Sequence, residues 1–278
     1  MLIFSLLLLL LLVPSYSSGA VFFEDSFESG DFTYYDPTSG AGWTGVDYGT
    51  ANEEPEVNTV KPHTGTYSAS FTFEGNSDLG DDAFSELRYT LGTQQTEVYM
   101  SYWIYFPANY TTRDSGGANN NKLIRLWGDD EVNDDTRVGM SSSLGDKVFF
   151  EAKESGWPLE LDCGGTMDPL EGSDTWNIIK DQWVYIEMHL KLDSGSGDGA
   201  LQLWINNVLV SNNTNLSWID APCASGFFRH GYLLGWANSG FDEDTTVYID
   251  DVTFSTTRIG EDSTTTHTSA CSGGFILQ

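Results

Sequence analysis

The stretch Trp183-Val184-Tyr185-Ile186-Glu187-Met188-His189-Leu190-Lys191-Leu192 alternates without a break. Val184, Ile186, Met188, Leu190 and Leu192 fall on one side; Trp183, Tyr185, Glu187, His189 and Lys191 fall on the other. Successive side chains of a β-strand point to opposite faces, so this is a strand with one face in a core and one face looking outward. Asp193-Ser194-Gly195-Ser196-Gly197-Asp198-Gly199 follows as a loop of turn-formers. The chain then returns with Leu201, Leu203 and Ile205 inward and Gln202, Trp204 and Asn206 outward. Asn206-Asn207 reads as the turn of a hairpin, with Val208 to Val210 coming back.

The same period of two recurs on either side. Strands are expected near 21–27, 66–74, 84–91, 97–106, 121–127, 147–154, 183–193, 201–210, 230–237 and 246–255. Gly, Asn, Asp and Ser clusters separate them, and no window sustains helical spacing. The pattern predicts an all-β fold, an antiparallel two-sheet sandwich. One large domain over 21–259 fits the length better than two small ones, and it buries a core without help from disulfides. Residues 260–278 form a Ser/Thr/Gly-rich tail.

Leu2 to Val13 is apolar except for Ser5, too short to span a bilayer, and followed by Pro14 and small residues. With Ser18 and Ala20 at the −3 and −1 positions, residues 1–20 read as a signal peptide, the mature chain starts at Val21, and the protein is expected to be secreted. No later stretch is apolar enough to cross a membrane. The formal charge of −29 opposes nucleic acid and anionic membranes as partners. Of the three cysteines, Cys163 and Cys223 are the better pair because Cys271 lies in the tail, although spacing alone proves no bridge. Asn109, Asn212 and Asn215 each begin a glycosylation sequon.

Strand parity assembles an outward set. Glu86 and Arg88 share a face, as do Tyr99, Ser101, Trp103 and Tyr105; Arg125 and Trp127; Glu151 and Lys153; Glu187 and His189; and Trp204 with Gln202 and Asn206. Aromatic faces stack on pyranose rings and polar neighbours bond their hydroxyls, so a polysaccharide is the expected partner of what is read as a monomer. Set on one curved sheet, these residues are expected to form a single site.

Several segments in order resemble the concanavalin A-like superfamily, nearest to polysaccharide lyases of the glucuronan- and heparin-lyase type. They are Phe23-Glu24-Asp25-Ser26-Phe27-Glu28-Ser29-Gly30, His63-Thr64-Gly65-Thr66-Tyr67-Ser68, Ser85-Glu86-Leu87-Arg88, the hairpin from Trp183 to Val210, and Tyr248-Ile249-Asp250-Asp251-Val252. The resemblance covers most of 21–258 and implies the jelly-roll sandwich. It also implies a lyase acting by β-elimination on a uronate-containing glycan. Such an enzyme needs a cation at the carboxylate and a base for the C5 proton. His189, mid-strand on a polar face, is the expected base; Arg88, Arg125 or Lys153 supplies the cation, Tyr99 or Tyr105 the acid, and Glu187 lies beside the base. Glu86, Trp103, Tyr105, Glu151, Lys153 and Trp204 are expected to bind substrate. The resemblance further implies a structural Ca2+ held by Asp25 or Glu28, Gly65 and Asp250. A glycoside hydrolase stays an alternative, although Glu160-Leu161-Asp162 begins a two-carboxylate pattern that Cys163-Gly164-Gly165 does not complete. A non-catalytic lectin-like module and an adhesion protein are the others.

Overall fold

The structure is a computed structural model that describes residues 20–47, 54–76, 82–113, 120–129, 138–143, 147–152, 176–216, 226–238 and 240–261. Every regular element in them is a strand. In chain order they are β1 (Val21–Asp25), β2 (Gly42–Asp47), β3 (Glu56–Asn58), β4 (Ser68–Phe73), β5 (Ala83–Gln95), β6 (Glu97–Tyr105), β7 (Asn120–Trp127) and β8 (Val138–Ser143). Then come β9 (Lys147–Ala152), β10 (Trp176–Asn177), β11 (Trp183–Lys191), β12 (Gly199–Ile205), β13 (Val208–Leu216), β14 (Phe228–Ala237) and β15 (Thr245–Ser255). Neighbouring strands pair antiparallel in two sheets, as the alternation predicts. One sheet runs β13-β12-β11-β6-β15-β4-β3, with β1 also on β15, and the other runs β10-β9-β8-β7-β14-β5-β2.

The core lies between the sheets. Val184, Ile186, Met188 and Leu190 of β11 and Leu201, Leu203 and Ile205 of β12 are buried from the eight-stranded side. Leu87, Tyr89 and Leu91 of β5, Ile124 and Leu126 of β7 and Leu233 of β14 meet them from the seven-stranded side. Removing one such side chain, as in Ile186→Ala, costs about 2–5 kcal/mol, the lost transfer energy plus the cavity left behind. The β12–β13 turn is Asn206-Asn207, with φ of 47° and 62°. Two left-handed residues in a row give the twist that joins antiparallel strands tightly. Asn206 also locks the neighbouring strand, since its Oδ1 accepts the Tyr185 N–H at 2.9 Å.

Four strands carry no alternation long enough to predict them: β2, β3, β8 and β10. β2 is GWTGVD and β8 is VGMSSS, in which glycine and serine replace the apolar partners that mark an inner face. One topological fact governs the site. β5 and β6 are consecutive, separated only by Thr96, yet they belong to different sheets. Cys163, Cys223, Cys271, residues 1–19 of the expected signal peptide and residues 262–278 lie outside the described residues, and no helix among those described is long and apolar enough to cross a membrane.

Candidate active site on the seven-stranded sheet

The outward residues expected on one face are divided between the two sheets. Glu86 and Arg88 (β5) and Arg125 (β7) lie on the outer side of the seven-stranded sheet, and Glu151 (β9) stands in the same sheet opposite Gly139. Tyr99, Trp103, Tyr105 (β6), Glu187, His189 (β11) and Trp204 (β12) lie on the outer side of the eight-stranded sheet. The shared face is therefore corrected. Parity tells which side of a strand is outward, but outward in one sheet is the opposite side of the molecule from outward in the other. Lys153 lies outside the described residues.

On the eight-stranded sheet the expected site residues are engaged with one another. His189 is stacked on Tyr99 with ring centroids 4.1 Å apart, and its nitrogens lie 2.7 Å from Gln202 Oε1 and 2.8 Å from Glu97 Oε1. Burial, then the charge of Glu97, holds the Tyr99 hydroxyl above its usual range. Trp103 is stacked on His63 at 3.8 Å, the Lys61 ammonium lies 4.0 Å over Tyr105, and the Arg258 guanidinium lies 4.8 Å over Trp204. Glu187 is fully buried and accepts N–H groups from Ile259 at 2.6 Å and Gly260 at 3.1 Å, with Arg258 Nε 3.5 Å away. It clamps the segment after β15 across the sheet. Buried against Tyr99, Gln202 and Glu97 and set in the other sheet, His189 is not presented as a base beside Arg88 or Arg125.

The outer side of the seven-stranded sheet is built differently. Across it runs a row in register: Gly139 of β8, Arg125 of β7, Tyr232 of β14, Arg88 of β5 and Gly45 of β2. Directly opposed residues of antiparallel strands point to the same face, so Tyr232 stands between two arginines. Gly139 is small because Arg125 lies over it; a Cβ there would come within 2.6 Å of Arg125 Cδ. Arg88 Nε donates to Glu86 Oε1, two residues back on the same face. One row along, His230 of β14 stands between Thr90 of β5 and Trp127 of β7. The Trp127 and Tyr232 rings are 5.7 Å apart.

A cavity of about 290 Å³ opens at this row, lined by Thr44, Arg88, Tyr89, Trp127, Asp129, His230 and Gly231. His230 is half-buried in it. Burial first, then the Arg229 charge, lowers its pKa from the ordinary 6.5, while Asp129 works weakly the other way. The imidazole is thus held neutral, the form that takes a proton. Arg229 itself is paired with Asp129 at 2.6 Å. Below the cavity floor the Tyr89 hydroxyl donates to the Arg125 carbonyl at 3.1 Å, and Gly231 gives its ring room. Arg88, Lys122, Arg125 and Arg229 are four of the chain's twelve basic residues, all on β5, β7 and β14. β7, β14 and β5 are neighbours, so the four stand on one part of this sheet.

The sequence pattern placed Trp127 in the outward set with Arg125 but did not single out His230, which lines the cavity, or Tyr232, which stands beside it. The signal was present in His230-Gly231-Tyr232, where two polar aromatics flank a glycine on one face, but nothing in the sequence pairs β14 with β5 and β7.

The candidate calcium residues converge in part. Asp250 Oδ2 accepts the His63 N–H at 2.8 Å and the Thr64 N–H at 3.3 Å, and Glu28 Oε1 accepts the Thr66 and Tyr67 N–H groups at 2.8 and 2.9 Å. Gly65, at φ 59°, lies between them with the Glu28 carboxylate where a Cβ would stand. Asp250 is fully buried, and burial, then Asp251, pushes its carboxyl up to about 8, so a buried cation would be welcome there. Asp25 turns elsewhere, to the Phe27 N–H at 2.8 Å and Trp43 Nε1 at 2.6 Å. Among the described residues no three acidic, histidine or cysteine side chains form a metal cluster, so backbone oxygens such as the Gly65 carbonyl would have to complete a site.

Residues 27–253 match the family model described as polysaccharide lyase. No curated protein sequence matches the chain. Among solved structures, the endo-β-1,4-glucuronan lyase of the fungus Trichoderma reesei is similar at 12% identity and a TM-score of 0.59, over 86% of this chain and 96% of that one. The PL-14 alginate lyase of Aplysia kurodai aligns at 10% identity and a TM-score of 0.54, covering 84% and 98%. The alginate lyase vAL-1 of a Chlorella virus aligns at 11% and 0.53, covering 78% and 94%. At such identities the likeness is one of fold.

Proposed function

The chain belongs to the polysaccharide lyase family, and we propose that it is a secreted enzyme that cleaves a uronate-containing polysaccharide by β-elimination on the outer side of its seven-stranded sheet. The observation that supports this reading is the cavity that brings His230, Arg88 and Trp127 together beside Tyr232 and Arg125. A uronate carboxylate in the cavity is neutralised by Arg88, with the buried Arg125 charge behind it, which acidifies the C5 proton. Neutral His230 takes that proton. The electron pair forms the C4–C5 double bond and the C4–O4 bond breaks. Tyr232 is the group placed to return a proton to the leaving oxygen. Trp127 offers a ring face to the sugar, and burial of the cavity strengthens each charge contact.

The eight-stranded sheet has no part in this chemistry: Glu187, His189, Tyr99 and Trp204 hold the outer layer and the segment after β15. Glu28, the Gly65 carbonyl and Asp250 would hold a calcium ion. The ion would tie the 63–67 loop to β15 and to the turn after β1, a structural service only.

The test is incubation of the purified protein with a panel of uronate and neutral polysaccharides. The expected outcome is a new absorbance from unsaturated ends on at least one uronate polymer and none on neutral glycans. Retention on a glycan without that absorbance would leave a binding module, and reducing ends without it a hydrolase.

A further inference from the structure

The outer side of the seven-stranded sheet continues beyond Arg88. Phe84, Glu86 and Arg88 share one side of β5, and Phe84 is paired in register with Trp236 of β14. Their rings lie 4.6 Å apart, and Trp236 is 45% exposed, whereas Phe84 is buried beneath it. On the other flank Asn121 of β7 pairs with Ala237, which sets Lys122 next to Trp236. Lys122 is buried, and its ammonium donates to Asn238 Oδ1, which in turn reaches Asp82 through its amide. Trp236 therefore presents one open ring face on the same side of the sheet as Arg88 and Tyr232.

The backbone beneath it is strained. Leu234 has φ 58° and Gly235 φ 114°. A bulky residue in the left-handed region costs about 1–2 kcal/mol. The irregularity lies between Leu233 and Ala237, between the Tyr232 row and Trp236. At Gly235 a Cβ would come 2.8 Å from the Tyr232 ring and 3.1 Å from Glu86 Oε2, so the bend brings the two parts of the face together. Strain kept at such a point marks a functional surface more often than a neutral one.

We propose that Trp236, backed by Phe84, is a second subsite that stacks on another sugar of the same polysaccharide chain. The inference rests on the reading of the cavity as a uronate site. Phe84 lies four residues from Arg88 along β5, about 13 Å at the rise of a strand. That is more than one sugar ring, so the subsite takes a non-adjacent unit and rewards long chains. The Lys122 ammonium is engaged by Asn238, so the subsite reads the sugar by its ring face.

The experiment compares wild type with Trp236→Ala and Trp236→Phe. Migration is followed in gels containing alginate or glucuronan, and kinetics on the polymer cleaved and its trisaccharide. Trp236→Ala is expected to lose gel retardation and to cut the advantage of polymer over trisaccharide in kcat/KM by about 10-fold, the loss of one good stacking contact. Trp236→Phe restores most of both. Equal retardation of wild type and Trp236→Ala, or an unchanged polymer advantage, overturns the subsite even if the enzyme is an active lyase. Retardation that depends on Trp236 in a protein that makes no unsaturated ends overturns the lyase reading and keeps the subsite. A wild type retarded by no gel overturns the subsite, and the lyase reading falls with it only where unsaturated ends are absent as well.

Discussion

His230 is the residue on which the chemistry turns, and its surroundings fix a sign. Its pKa is lowered from 6.5 first by burial and then by the charge of Arg229. Only the neutral ring accepts a proton. Turnover on a uronate polymer should therefore rise with pH along an acid limb whose midpoint lies below 6.5, and then level off. His230→Ala should lower kcat by about 100-fold or more, the range of a lost general base, and remove that limb. His189→Ala should keep it, because His189 faces the other side of the molecule between Glu97 and Gln202. Rate–pH profiles of the three proteins check this; a limb lost in His189→Ala and kept in His230→Ala would reverse the assignment. Arg88, Arg125 and Glu86 were legible as a group from the parity of two strands. His189 was preferred because it lies mid-strand on a polar face, whereas His230 opens its strand and nothing in the sequence sets it beside Arg88.

At the scale of the element, period two revealed inner and outer faces and nothing about sheet membership. Ile186, Met188, Leu190, Leu203 and Ile205 are inside as their spacing demands. The one-residue corner at Thr96 passes the chain from one sheet to the other, and that crossing reversed the meaning of outward between β5 and β6. Glu187 shows the consequence. Read as part of a catalytic pair, it instead receives two N–H groups of the segment after β15. Glu187→Gln replaces a charged acceptor with a weaker one, and hydrogen bonds to a charged group are worth about 1.5–3 kcal/mol. Its melting temperature should fall by about 3–10 °C, with cleavage at 25 °C unchanged. The β15 bulge is the second such element. Asp251, at φ 50°, is the extra residue between Asp250 and Thr253, and the bulge turns Asp250 and Asp251 onto the 63–64 loop. If calcium joins Glu28, Gly65 and Asp250 there, an ion at a hundred times its Kd adds about 2.7 kcal/mol to the folded state. A chelator should then lower the melting temperature, and Asp250→Asn should abolish that response; a transition indifferent to chelator in the wild type removes the site.

At the scale of the whole molecule, net charge and local charge pull in opposite directions. The chain carries −29, and a polyuronate is itself a polyanion, so the two repel at distances beyond the first contacts. Arg88, Arg125, Lys122 and Arg229 act only once the substrate is close. The repulsion is screened over a Debye length of about 30 Å at 0.01 M salt and about 8 Å at 0.15 M, whereas contacts inside a cavity are screened far less. Added salt should therefore remove more repulsion than attraction over this interval. The expected outcome is that kcat/KM on a long uronate polymer rises between 0.01 and 0.15 M monovalent salt, through KM rather than kcat, since the chemical step happens where screening is weak. A trisaccharide, carrying few charges, should show a smaller rise. A lyase whose binding were governed by a broad basic surface would do the reverse, losing affinity steadily with salt. Initial rates at fixed pH across that range decide between the two: a steady fall in polymer kcat/KM would mean that the cations of the seven-stranded sheet dominate the field well beyond the cavity.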